Sequence, residues 1–152
     1  MATPEEALAE LGLTLPDVAK PLAAYVPAVR SGNYVYTSGQ LPSVNGTLIA
    51  SGKLGVDVTP EIGAQCAQQS ALNALAAVKA EVGDLSLIRR IVKVVVFVAS
   101  DPSFTAQPQV ANGASELLGK VFGDDGKHAR SAVGVSVLPL DAPVEVELIV
   151  EL

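Results

Sequence analysis

The stretch "KHARSAVGVSVL", residues 127–138, sets a permanent cation, Arg130, at the head of an apolar, small-residue run. Its neighbours Ala129, Ser131, Ala132 and Gly134 are all small. Small neighbours leave room for a ligand beside the guanidinium, and a guanidinium can grip a planar carboxylate with two parallel charged hydrogen bonds. A solvated arginine at a strand end is the plainer reading. The last segment, "VEVELIVEL", alternates. Val144, Val146, Leu148, Val150 and Leu152 point to one face; Glu145, Glu147, Ile149 and Glu151 point to the other. A half-buried strand with a solvated acidic face explains this pattern. A carboxylate beside a cation-bound substrate would instead orient or deprotonate water.

Other chemistries find little support. There is one histidine, His128, so no multi-histidine metal site can form, and no metal is expected. Neither a Walker-type phosphate loop nor GxGxxG occurs. A Ser-His-Asp triad would have to use His128, which falls in a turn with no nucleophile elbow nearby. Cys66 lies mid-helix among alanines and reads as core. Tyr25, Tyr34 and Tyr36 alternate with smaller residues and read first as strand packing, second as ligand contacts.

The 152 residues fit one domain with a substantial core. The formal net charge of −6 argues against nucleic acid or an anionic membrane as partner, since both call for a basic surface. Hydrophobic residues make up 49% and charged residues 17%, an apolar balance for a small monomer. No stretch is long and clean enough to span a bilayer. The surplus apolar surface therefore points to burial between subunits. The acidic start "ATPEEALAEL" has no signal-peptide character, and a single cysteine excludes an internal disulfide; a cytoplasmic setting is expected.

These side chains need elements to hold them. Thr3-Pro4-Glu5-Glu6 has capping-box spacing and predicts a short helix ending at Gly12. "YVPAVRSGNYVYTSGQLP" predicts two strands around Ser31-Gly32-Asn33, and "NGTLIASG" a turn with a further short strand. Thr59-Pro60-Glu61 opens a helix running to about Val82 and stopping at Gly83. "RRIVKVVVFVAS" is β-branched and nearly continuous, so both faces are expected to be covered. A second long helix starts near Pro108 and buries Val110, Ala114, Leu117, Leu118 and Val121. Gly123–Gly126 makes a turn, and two strands close the chain. The order α-βββ-α-β-α-ββ predicts an α+β fold, a sheet with two helices on one face.

Three stretches carry a family resemblance. "ARSAVGVSVLPLDAPVEVELIVEL", "YVPAVRSGNYVYTSGQLP" and "IVKVVVFVASDPSF", with "VANGASELL" in support, resemble the YjgF/RidA family, also labelled endoribonuclease L-PSP, over residues 21–152. The resemblance implies a chorismate-mutase-like mixed sheet and a homotrimer with a barrel-like core and ligand clefts between subunits. It implies a cofactor-free enamine/imine deaminase acting on 2-aminoacrylate-type 2-imino acids and releasing 2-keto acids and ammonia. By position, Arg130 would clamp the substrate carboxylate and Glu145 would activate water. Gly39 and Ala132 would offer backbone groups, and Tyr25 and Asn112 would line the cleft. Ala132 stands where many members have cysteine, and residues 1–20 extend the usual N-terminus, as in a longer subgroup.

A non-catalytic trimer binding small carboxylates would use the same Arg130. A ribonuclease or translation inhibitor is disfavoured by the charge and the lone histidine. Geometry adds one demand. If the last two strands paired as a hairpin, Arg130 would face Glu151 and lie on the order of 20 Å from Glu145. For both to touch one small substrate, the strands must be ordered differently or Glu145 must act across a subunit boundary, and a non-hairpin arrangement is expected.

Overall fold

The computed structural model describes residues 2–18 and 24–152. Helix α1 (Pro4–Glu10) starts where the capping box predicts: the Thr3 hydroxyl accepts from the Glu6 amide, and the Glu6 carboxylate accepts from the Thr3 amide. Leu8 is buried from this helix. Its Glu5 accepts from the Leu85 amide at 3.3 Å and pairs with Lys79 at 3.4 Å. Strands β1 (Ala28–Ser31) and β2 (Tyr34–Thr37) form the expected hairpin. Two-residue strands β3 (Ser43–Val44) and β4 (Thr47–Leu48) pair around Asn45-Gly46.

Helix α2 (Pro60–Val82) is capped by Thr59 and ends at Gly83, whose φ is 93°. Strand β5 (Arg90–Ala99) follows, then α3 (Gln107–Phe122), β6 (Ala129–Val135) and β7 (Val144–Glu151). All five residues expected on the buried face of α3 are buried, with Ala111.

The main sheet has the order β1-β2-β7-β5-β6. Only β5 and β6 run parallel, and α3 supplies the crossover that a parallel pair requires. The two closing strands are therefore not a hairpin: β5 lies between them, paired to both. Ile91, Val94, Val96 and Val98 of β5, and Val144, Val146, Leu148 and Val150 of β7, pack under the long helices as one core. This is the mixed α+β sheet with two long helices on one face that the sequence predicts.

Within this chain, β5 is covered on one face only. Lys93, Val95 and Phe97 are only partly buried. Around them the same face carries Ile149 of β7, half-buried, and Tyr36 of β2 and Val133 of β6, 45% and 43% exposed. The continuous β-branched run reflects a strand with one face in the core and one face that this chain alone leaves open, where Val95, Phe97 and Ile149 stand among Lys93, Glu145 and Glu147.

Candidate functional site

Strand β6 lies at the sheet edge, and its register sets Arg130 and Ala132 beside Val94 and Val96, on the helix-covered face. Helix α3 crosses this edge and meets the guanidinium. Arg130 Nη1 donates to Asn112 Oδ1 at 2.8 Å and to Ser115 Oγ at 3.1 Å. Ser115 Oγ lies 2.8 Å from His128 Nε2, and His128 Nδ1 lies 2.6 Å from the Gly126 carbonyl oxygen. No carboxylate pairs with Arg130 among the described residues. The cation is held by neutral groups and remains electrostatically unanswered. Sequence reasoning reached Arg130, Asn112 and Ala132 and missed Ser115. It placed His128 in a turn and found no task for it.

Glu145 sits elsewhere. It lies at the start of β7, opposite Phe97, on the open face of the sheet. There it lines a cleft of about 670 Å³ with Tyr25, Gly39, Gln40, Leu41 and Leu140. The turn from β2 into this cleft is pinned to β7: the Gln40 amide donates to the Val146 carbonyl at 2.8 Å, and the Val146 amide donates back at 3.0 Å. Ser38 fixes the approach of Tyr25, donating from Oγ to Val26 at 2.6 Å and from its amide to Pro27 at 2.8 Å. Tyr25 itself is 53% exposed at the cleft wall.

Gly39 is glycine for a steric reason. A Cβ there would fall 2.6 Å from Glu145 Cδ and 2.7 Å from Oε1. The obstacle is the end of a flexible side chain, so it would swing aside rather than break the fold. Gly39→Ala is expected to leave the melting temperature nearly unchanged while lowering the activity proposed below by roughly 10- to 100-fold, since small misplacements of a reacting group cost that much. Thermal melts and steady-state kinetics on the one variant check both halves.

Burial raises the Glu145 pKa above the ordinary carboxylate value, and the nearby Glu147 charge pushes it further the same way. A partly desolvated carboxylate next to a cleft is better suited to exchange protons with water than a solvated one.

The six residues expected to share a site thus fall into two groups: Arg130, Asn112 and Ala132 on one side, and Glu145, Gly39 and Tyr25 on the other. Arg130 registers with Val94 and Val94 with Leu148, three residues along β7 from Glu145. Two strand spacings and three residues put the two backbones about 14 Å apart, with side chains on opposite faces. Within one chain they cannot grip one small molecule.

Cys66 is fully buried, and desolvation pushes its thiol up to about 11. It is core, as its alanine neighbours indicate. It is expected to resist iodoacetamide in the native protein and to react once guanidinium unfolds the chain, which mass spectrometry would register. Among the described residues no cluster of histidine, cysteine and carboxylate side chains is arranged to hold a metal ion. No helix among them is long and apolar enough to cross a membrane.

Comparison with known proteins agrees with this architecture. A family model described as "YjgF/chorismate_mutase-like, putative endoribonuclease" matches residues 5–152. Protein TCP17 of Trypanosoma cruzi is 47% identical over 146 residues, 95% of this chain and 91% of its own. A 2-iminobutanoate/2-iminopropanoate deaminase of Dermatophagoides farinae is 34% identical over 138 residues, 91% of this chain and 93% of its own. The crystal structure of protein Atu1372 from Agrobacterium tumefaciens, of unknown function, superposes with a TM-score of 0.91 at 47% identity, covering 99% of this chain and 92% of that one. The chain therefore belongs to the YjgF/RidA family, whose mixed sheet and long helices it reproduces.

Proposed function

We propose that the protein is an imine deaminase that hydrolyses small 2-imino acids to 2-keto acids and ammonia in clefts between subunits. The observation that carries this reading is Arg130: a cation oriented by Asn112 and Ser115, with no anionic partner among the described residues. Such a group is prepared for an anion from outside, and a planar carboxylate fits it.

The chemistry then needs little else. An imine carbon is already electrophilic, so orientation and a polarised water suffice, with no cofactor. Glu145, its carboxyl raised in pKa, takes a proton from water as the oxygen adds to C2. Returning that proton to the nitrogen gives the carbinolamine, and the hydroxyl proton then passes through Glu145 to the nitrogen as the C–N bond breaks, leaving the keto acid and ammonia. Gly39 and Ala132 offer backbone groups to the substrate, and Tyr25 and Asn112 line the cleft.

Because Arg130 and Glu145 point to opposite faces of one sheet, the two must come from different chains. The open face around Val95, Phe97 and Ile149, and the unpaired outer edge of β6, supply surface for self-association. A cyclic homotrimer with its sheets turned inward would bury that face. The ribonuclease reading is weaker, since both ring nitrogens of the one histidine are already hydrogen-bonded.

The test is turnover of imine generated in place by a serine or threonine dehydratase, with the imine's decay followed by a trapping reagent. Wild-type protein is expected to shorten the imine lifetime, in proportion to its concentration. No acceleration at micromolar protein would overturn the proposal.

A further inference from the structure

We infer that Ser115 and His128 are positioning residues that fix which edge of the Arg130 guanidinium meets the substrate. This rests on Arg130 being the carboxylate clamp proposed above. The argument is a count of protons and lone pairs. His128 Nδ1 lies 2.6 Å from the Gly126 carbonyl oxygen, which can only accept, so Nδ1 carries the ring proton. In the neutral ring Nε2 is then an acceptor, and the Ser115 hydroxyl 2.8 Å away must donate to it. With its one proton committed, Ser115 Oγ is left to accept, and it accepts from Arg130 Nη1 at 3.1 Å. The second Nη1 proton goes to Asn112 Oδ1 at 2.8 Å.

Both protons of Nη1 are thereby spent. Of the five guanidinium protons, those on Nε and Nη2 remain. The Nε proton and one of the two Nη2 protons lie along one edge, parallel, at the spacing that takes both oxygens of a carboxylate. The end-on approach across Nη1 and Nη2 is closed. The substrate is therefore gripped side-on, with its carboxylate plane fixed by the guanidinium plane.

The chain of bonds is anchored at both ends. Gly126 belongs to the 3-10 turn Gly123–Gly126, and a Cβ on it would run into the Leu118 carbonyl oxygen of α3. The turn is pressed onto the helix, so the Gly126 carbonyl is a fixed acceptor. Ser115 stands one turn before that contact on the same helix. Polarity thus runs one way, from Arg130 through Ser115 and His128 to Gly126, and determines the proton positions throughout.

The experiment compares wild type with Ser115→Ala, His128→Phe, His128→Gln, the Ser115→Ala/His128→Phe double variant and Arg130→Ala. It reads deamination kinetics, and calorimetric binding of 2-oxobutanoate as the carboxylate probe. Ser115→Ala and His128→Phe are each expected to raise KM and the probe's Kd roughly tenfold, with kcat within about twofold, as loss of one hydrogen bond to a charged group implies. The double variant should be no worse than Ser115→Ala, because both break one chain. His128→Gln, whose amide oxygen can stand in for Nε2, should recover most of the affinity. If Ser115→Ala and His128→Phe bind the probe like wild type while Arg130→Ala does not, the positioning role is overturned and the clamp stands. If Arg130→Ala also binds like wild type, clamp and positioning fall together. A lower melting temperature with kcat and KM both damaged, and no recovery in His128→Gln, would mean a structural role only and also overturn it.

Discussion

Replacing Arg130 with alanine is expected to lower kcat/KM for imine hydrolysis by roughly 100- to 1000-fold, the cost of removing one partner of a desolvated charge pair. The loss should be far larger than any change in stability. Arg130 makes no ion pair among the described residues, and β6 is held by its backbone ladder to β5. Arg130→Lys keeps the charge but loses the planar fork and the divided use of its protons. It should recover only a minor part of the activity. Steady-state kinetics beside thermal melts separate these outcomes. Wild-type kcat/KM in Arg130→Ala would remove the carboxylate clamp from the account.

The second large effect is at Glu145. Glu145→Gln is expected to reduce kcat by roughly 100- to 10,000-fold, the range for loss of a positioned general base. The direction of its pKa fixes two further results. Burial, then Glu147, raises the Glu145 pKa in the folded chain. Between the ordinary carboxylate pKa and this raised one, the folded state holds a proton that the unfolded state has lost. Stability therefore falls as pH rises through that window. Glu145→Gln removes this slope and should melt at the same temperature as wild type or higher at neutral pH, despite being inactive. The activity has the opposite sign, because the base works only when ionised. The acid limb of the kcat/KM profile should lie above the ordinary carboxylate range. Glu147→Gln should move that limb to lower pH by withdrawing a like charge. A limb unmoved by Glu147→Gln would contradict the electrostatic cause.

How much of this could be read from the chain itself depended on whether the signal was local. Thr3 and Thr59 announce their helices through hydroxyls that cap amides three residues on, and both caps are present. The α3 stripe Val110–Val121 and the β7 alternation follow from the helical and extended repeats alone. Strand order was not local. That the last two strands are not a hairpin was inferable only from the demand that Arg130 and Glu145 serve one site; that β5 is the strand between them was not. The non-hairpin arrangement holds, yet it still leaves those two residues on opposite faces of the sheet. Family resemblance could name both residues, but one chain's sequence contains no register between subunits.

Ser115 and His128 were missed for a related reason. A serine on an amphipathic helix and a histidine in a turn carry no pattern; their meaning comes from a helix crossing a sheet edge. Gly39 was identified by motif, but its physical basis, the Glu145 side chain filling the place of a Cβ, exists only in three dimensions.

The central claim is that each working cleft takes Arg130 from one chain and Glu145 from another. Arg130→Ala and Glu145→Gln, each inactive alone, should therefore complement when mixed in equal amounts under conditions that exchange subunits. In a closed ring, random assembly gives about one cleft in four with both native residues. The mixture is predicted to recover roughly a quarter of wild-type deaminase activity. A mixture that exchanges subunits, by native mass spectrometry, yet stays as inactive as its parents would contradict the account.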